Sequence, residues 1–313
     1  MPNRVRIVTD SSAQFIDPSV VQRYDITVVP LEIQFGPHTY REGIDIDTDD
    51  YFRRLAQSAA LPGLLPPPVE RFAEAYSRLS RETDQVLSIH LSRSMHSTWQ
   101  NAKTATQTLL GRCEIIVLDS QTTSVGQALL VEAAAKCAET DASLDDVVRA
   151  VRKMIPRIYA VFYVESLSYL RRAGLVSESQ AILGTMLGIK PFLTIEEGEL
   201  ITMEKVRTRS QAIDKLVEFV TEFASVDHLI LLQNTPYATE HTRQLQEQLA
   251  LEFSAQVVPV AMYGPSLATF IGPDAMGLFV FEGDEEDQAS GASSAASDDK
   301  EGEHGSQRQA DRG

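Results

Sequence analysis

Short β-rich runs alternating with amphipathic stretches are what most limits the folds open to this chain. The runs Val5-Arg-Ile-Val-Thr9, Ile26-Thr-Val-Val-Pro-Leu31, Gln85-Val-Leu-Ser-Ile-His-Leu91 and Glu114-Ile-Ile-Val-Leu-Asp119 are separated by segments of helical periodicity over residues 68–80, 95–110 and 125–139. Parallel neighbours need a long crossover, and a crossover helix must lie on a face of the sheet, so this alternation predicts a mostly parallel, doubly wound α/β sheet. Residues 143–157 carry Val147, Val148, Val151, Met154 and Ile155 at helical spacing and close this first unit.

A second α/β unit begins at Tyr159-Ala-Val-Phe-Tyr-Val164. Its further strand candidates are Phe192-Leu-Thr-Ile195, Leu200-Ile-Thr-Met203, His228-Leu-Ile-Leu-Leu-Gln233, Ala255-Gln-Val-Val-Pro-Val260 and residues 277–281. The turn Glu196-Glu-Gly-Glu199 predicts a hairpin, hence a mixed sheet with helices. Beyond residue 283 apolar periodicity stops, and nine acidic side chains stand against three basic ones. The expected organisation is an N-terminal α/β domain over 1–157, a C-terminal α/β domain over 158–283 and a disordered acidic tail over 284–313.

Composition excludes several classes. With 43% hydrophobic and 23% charged residues the chain is an ordinary globular one, and no run approaches the roughly 18 apolar residues of a membrane helix. The N-terminus shows no signal-peptide core, so the expected location is the cytoplasm. A formal net charge of -16 counts against nucleic acid and anionic membranes as main partners. Cys113 and Cys137 are expected as small buried hydrophobes rather than redox groups. No Gly-x-Gly-x-x-Gly, no P-loop and no His-x-x-x-His pair occurs, so neither a nucleotide cofactor nor a metal is expected. Gly264-Pro-Ser-Leu-Ala268 resembles a nucleophile elbow, but the only later histidine is His304 in the tail, and the triad order fails.

In doubly wound sheets, ligands sit beyond the carboxyl ends of strands. Three polar clusters fall there: Thr9-Asp-Ser-Ser-Ala13, Leu91-Ser-Arg-Ser-Met-His-Ser-Thr98 and Leu118-Asp-Ser-Gln-Thr-Thr-Ser124. Hydroxyls at such turns either cap the next helix or hold an anion, and both readings stay open. Their recurrence in three turns points to one shared crevice.

The order of these clusters resembles the DegV family of fatty-acid-binding proteins. The resemblance rests on Ile7-Val-Thr-Asp-Ser-Ser-Ala13, Tyr40-Arg-Glu-Gly-Ile-Asp45, Leu118-Asp-Ser120, Leu170-Arg-Arg-Ala-Gly174, Leu183-Gly184 with Ile189-Lys-Pro191, Lys205-Val-Arg207 and Gly272-Pro273, in order over some 280 residues. It implies two α/β domains clasping a long-chain fatty acid in an interdomain tunnel. The protein is then a lipid-binding carrier rather than an enzyme, presenting the acid to a separate fatty-acid kinase through a surface near Lys205 and Arg207.

The sequence departs from the family pattern where the carboxylate is expected. Leu64 stands in place of a hydroxyl, His96 in place of a serine, Phe270 in place of a histidine and Leu175 in place of an arginine. The resemblance leaves Ser92, His96, Thr98 and Thr269 as polar contacts, with Arg93 and His96 supplying a different anion grip. Three alternatives accompany this reading: a carrier of a neutral hydrophobic ligand, an enzyme on the same scaffold with His96 as acid or base, and a purely interacting or regulatory protein using Lys205, Arg207 and Arg209 as a basic contact patch.

Overall fold

The computed structural model describes residues 4–58, 60–178, 186–252 and 258–283. The expected acidic tail, the Leu183-Gly184 motif and positions 255–257 of one strand candidate lie outside the described residues.

The first half builds an all-parallel sheet from β1 (Arg6–Asp10), β2 (Thr27–Val29), β6 (Gln85–His90) and β7 (Glu114–Asp119), in the order β2-β1-β6-β7. Successive side chains face opposite ways, so the two apolar sets of each strand bury on different layers. Ile7, Leu87, Ile89 and Leu118 pack against Leu130 and Val131 of α5 (Ser124–Ala138) and Val147 and Val151 of α6 (Leu144–Met154). Val8, Val86 and Val117 meet Phe72, Tyr76 and Leu79 of α3 (Val69–Leu79) and Ala102 of α4 (Thr98–Ala105). The doubly wound parallel unit is thus as expected.

The second half forms a six-stranded mixed sheet from β8 (Ile158–Tyr163), β9 (Lys190–Glu196), β10 (Glu199–Val206), β11 (Val226–Gln233), β12 (Val260–Met262) and β13 (Met276–Glu282), in the order β10-β9-β8-β13-β11-β12. The β9–β10 hairpin is present and antiparallel; only β11–β12 is parallel. Val161, Tyr163, Leu231, Leu278 and Val280 bury beneath Leu216 of α8 (Arg209–Thr221) and Leu245 and Leu249 of α9 (Glu240–Glu252). The opposite face turns toward the first half.

That face is covered by elements that the sequence reading did not single out: a three-stranded antiparallel sheet of β3 (Glu32–Phe35), β4 (His38–Arg41) and β5 (Gly63–Leu65), together with α2 (Thr48–Gln57), α7 (Leu167–Arg172) and α10 (Pro265–Ile271). Ile33, Ile46, Tyr51 and Leu55 share one apolar cluster with Phe162, Leu193, Ile230, Leu232, Phe270 and Phe279. Residues early in the chain therefore complete the core of the second sheet. The elbow-like Pro265–Ile271 is a buried helix, and Ser266 is buried within it. Cys113 and Cys137 are free and half-buried, less enclosed than expected.

Helix α5 buries ten of its 15 residues because it touches both halves. At Gly126 the approach is closest: a Cβ would stand 2.6 Å from Thr122 Oγ1, 2.8 Å from Phe279 and 2.9 Å from Ile158. An added methyl has nowhere to go without moving β8 or β13. Gly126→Ala is expected to lower unfolding free energy by about 1–3 kcal/mol, measured by urea titration; a wild-type midpoint would show that this contact yields freely.

Candidate functional site

The end of β1 is held by a buried carboxylate. Asp10 Oδ2 accepts from the Leu91 N–H at 3.1 Å and lies 2.9 Å from His90 Nδ1, while Oδ1 accepts from the Ser12 N–H at 3.0 Å. Burial alone would raise the Asp10 pKa, but the bonds from His90, Ser12 and Leu91 outweigh it and hold the carboxyl below its ordinary value. His90 Nε2 in turn lies 2.6 Å from Ser88 Oγ, which is 2.8 Å from the Tyr76 hydroxyl. Ser88, His90 and Asp10 have the connectivity of a hydrolase triad, yet all three are 0% exposed, so no substrate carbonyl can approach. They act as an anchor for two strand-end turns. The parallel register that pairs Thr9 with Ile89 puts Asp10 beside His90, and that pairing is the signal from which the anchor could have been found.

Both turns reach across to the second half. Ser11 Oγ accepts from Leu31 N at 2.9 Å and donates to Glu42 Oε2 at 2.6 Å, and Glu42 Oε1 accepts from Ser266 N in the first turn of α10 at 2.8 Å. Burial pushes the Glu42 carboxyl up to about 7 against the opposing bonds from Ser11 and Ser266. Ser92 Oγ donates to Gly198 O at the hairpin tip, at 2.7 Å. Gly198 has φ +85, and a Cβ there would lie 2.5 Å from that hydroxyl, so glycine serves both the turn and the contact. Ser92 thus spends its hydroxyl on the contact between the halves rather than on a cavity.

A cavity of about 360 Å³ opens between the halves, where β5, the turn before α4, the end of α7 and helix α10 meet. It brings together four of the residues expected from the sequence: Leu64, His96, Thr269 and Phe270. Its wall also contains Gln34 and Gly63, which carried no signal because β3 and β5 are short, and Met95, Arg172 and Ala173, which lay within a polar cluster or a family motif without being singled out as contacts. His96 is half-buried, with Nε2 3.3 Å from Leu64 O and Nδ1 2.8 Å from Thr98 Oγ1. Burial lowers the His96 pKa, so the ring is neutral at neutral pH, Nε2–H donating to Leu64 O and the Thr98 hydroxyl donating to Nδ1. Thr98 is fully buried, and the Thr269 hydroxyl donates to Ser266 O at 2.6 Å.

The other expected residues lie elsewhere. Arg93 is exposed, pairs with Asp119 at 3.3 Å and covers the Trp99 ring at 5.7 Å. It borders a more open hollow of about 580 Å³ that shares Met95 and His96 with the cavity. Leu175 lines a third hollow of about 470 Å³ with Leu170 and Leu200. Lys205 and Arg207 are exposed near the end of β10. Of the strand-end hydroxyls, Thr122, Thr123 and Ser124 are buried without a partner, as is the Tyr51 hydroxyl in the shared apolar cluster. Among the described residues no group of three or more His, Cys, Asp or Glu side chains is arranged to hold a metal, and no helix is long and apolar enough to cross a membrane.

Residues 4–283 match the model of the family described as "Uncharacterised protein, DegV family". The chain belongs to the DegV family. A DegV domain-containing protein of Halalkalibacterium halodurans is 32% identical over 280 residues, covering 88% of this chain and 97% of the relative. Protein DegV of Bacillus subtilis is 28% identical over 277 residues, covering 88% and 98%. The solved structure of a fatty acid binding DegV family protein from Streptococcus agalactiae superposes with a TM-score of 0.81 at 26% identity, over 90% of this chain and 99% of that one. The structure described as fatty acid binding of a DegV family protein from Thermus thermophilus gives 0.76 at 27% identity, over 89% and 99%. The two-domain α/β architecture is that of the DegV family.

Glu42 makes the contact between the halves sensitive to pH. Its folded pKa of about 7 lies above the ordinary 4.5, so its contribution is complete in acid below the unfolded value and is lost as pH rises through about 7. Relative to Glu42→Gln, the wild type is expected to lose about 3 kcal/mol of unfolding free energy between about pH 4 and pH 8. Urea titrations of both proteins across that range test this; parallel curves would show that the buried carboxyl does not change charge there.

Proposed function

We propose that this protein binds a long-chain fatty acid between its two domains, acting as a cytoplasmic carrier rather than an enzyme. The observation that carries this reading is the cavity itself: polar groups on part of its wall, and Leu64, Met95 and Phe270 continuous with the apolar cluster shared by both halves. A chain lying along that cluster gains about 0.8 kcal/mol per buried methylene, while its polar end must keep hydrogen-bonding partners. Relatives of this length and fold that are described as fatty acid binding support the same ligand class. We set the domain boundary at residues 157 and 158, with the acyl chain in a tunnel between the two sheets and the head group near His96 and Thr269.

Presentation of the acid to a separate kinase extends this reading, with Lys205 and Arg207 as the contact surface; both side chains are exposed. A neutral hydrophobic ligand is the second reading, favoured by the apolar Leu64 and Phe270 in the wall and by a neutral His96 with both ring nitrogens engaged.

Native mass spectrometry of the full chain, as purified and after incubation with stearic acid, tests the ligand class. One bound acyl molecule per chain is expected, and Ala173→Trp, which fills the cavity wall, is expected to reduce its occupancy at least about tenfold. A protein that takes up no acyl ligand under either condition would overturn the proposal.

A further inference from the structure

The polar side chains on the cavity wall are not equally free to meet a ligand. Both ring nitrogens of His96 are engaged, by Leu64 O and the Thr98 hydroxyl, and the Thr269 proton goes to Ser266 O. Arg172 and Gln34, by contrast, have no ion pair or side-chain hydrogen bond among the described residues. The neighbouring Arg171 pairs with Glu178 at 3.6 Å. Among the described residues Arg172 is the only charged side chain in the wall and no Asp or Glu lines it, although the chain as a whole carries a net charge of -16.

The two free tips converge. A Cβ on Gly63 would stand 3.3 Å from the Arg172 guanidinium and 3.6 Å from Gln34 Oε1, so both side chains reach the same point on β5, and glycine at that point keeps them unobstructed. A guanidinium fork offers two parallel N–H donors to a carboxylate, whereas the Gln34 atom that faces this point is its amide oxygen, an acceptor. A neutral alcohol or ester cannot use the charge.

We propose that Arg172 is the anion-holding group of this cavity and makes it select acyl ligands that end in a carboxylate over neutral ones of equal length. The proposal rests on the acyl-ligand reading above and replaces Arg93 and His96 as the source of the grip.

The test is competition between stearic acid and 1-octadecanol on the delipidated full chain, read by native mass spectrometry for the wild type, Arg172→Gln, Arg172→Lys and Arg171→Gln. The wild type is expected to prefer the acid. Arg172→Gln should weaken acid binding about tenfold to a hundredfold while leaving the alcohol within about twofold. Arg172→Lys should keep part of the preference, because it retains charge without the fork, and Arg171→Gln should behave as wild type. Arg172 lies on the surface end of its helix, so unchanged melting temperatures are expected and are checked alongside. Acid binding by Arg172→Gln within twofold of wild type, or a wild type that takes both ligands equally, would overturn the assignment and leave the acyl-ligand reading standing. A wild type that takes neither would overturn that reading and the assignment with it.

Discussion

The Asp10 carboxylate is the interaction on which the rest of the molecule depends. It is fully buried, so it stays charged only because His90, Ser12 and Leu91 surround it with donors, and that requirement fixes the ends of two neighbouring strands at once. The turns so fixed carry Ser11 and Ser92 outward to Glu42 and Gly198. From Glu42 the chain of bonds continues to the first turn of α10, whose far end supplies Thr269 and Phe270 to the cavity. A buried ion in one sheet thus sets the position of a helix that lies on the other.

The cavity wall shows how a polar group's environment decides its use. His96 looks like a ready cation in the sequence, but burial keeps the ring neutral, and its two nitrogens bind a backbone carbonyl and a threonine. Arg93, formally the stronger cation, lies on the outer side of the same turn, where Asp119 and the Trp99 face occupy it. Arg172 comes from a different element, the last turn of α7, and meets the cavity from the opposite half. Charge in this chain therefore enters the site from the side where sequence spacing carried no hint of it.

What was legible followed the strength of periodicity. Strands β1, β6, β7 and β8 and helices α3, α5 and α6 have long apolar patterns set by burial on known faces, and they appear close to where those patterns put them. Strands β3, β4 and β5 are three or four residues long, and β4 is a mostly exposed His38-Thr39-Tyr40-Arg41, so alternation had too few positions to register. Helix α10 is buried on every side, which erases the 3.6-residue contrast that marks an amphipathic helix. The association of Leu64, His96, Thr269 and Phe270 came through family resemblance, since nothing local links positions about 200 residues apart. Gln34 lies on a strand too short to show a pattern, and Arg172 was quoted within a family motif on a six-residue helix whose facing no periodicity could show.

The bond between Glu42 and Ser266 has a kinetic side. It spans 224 residues, so it closes a much longer loop than the pairing of Ile158 with Phe281 that joins β8 to β13 within the second sheet. Closing such loops costs entropy that local contacts do not repay, which makes long-range junctions the last to form. Each sheet can therefore assemble while the apolar faces that will meet remain open to solvent. During that interval the future interior is at its most accessible, and an amphiphile present then can be enclosed as the chain closes rather than having to enter a finished protein.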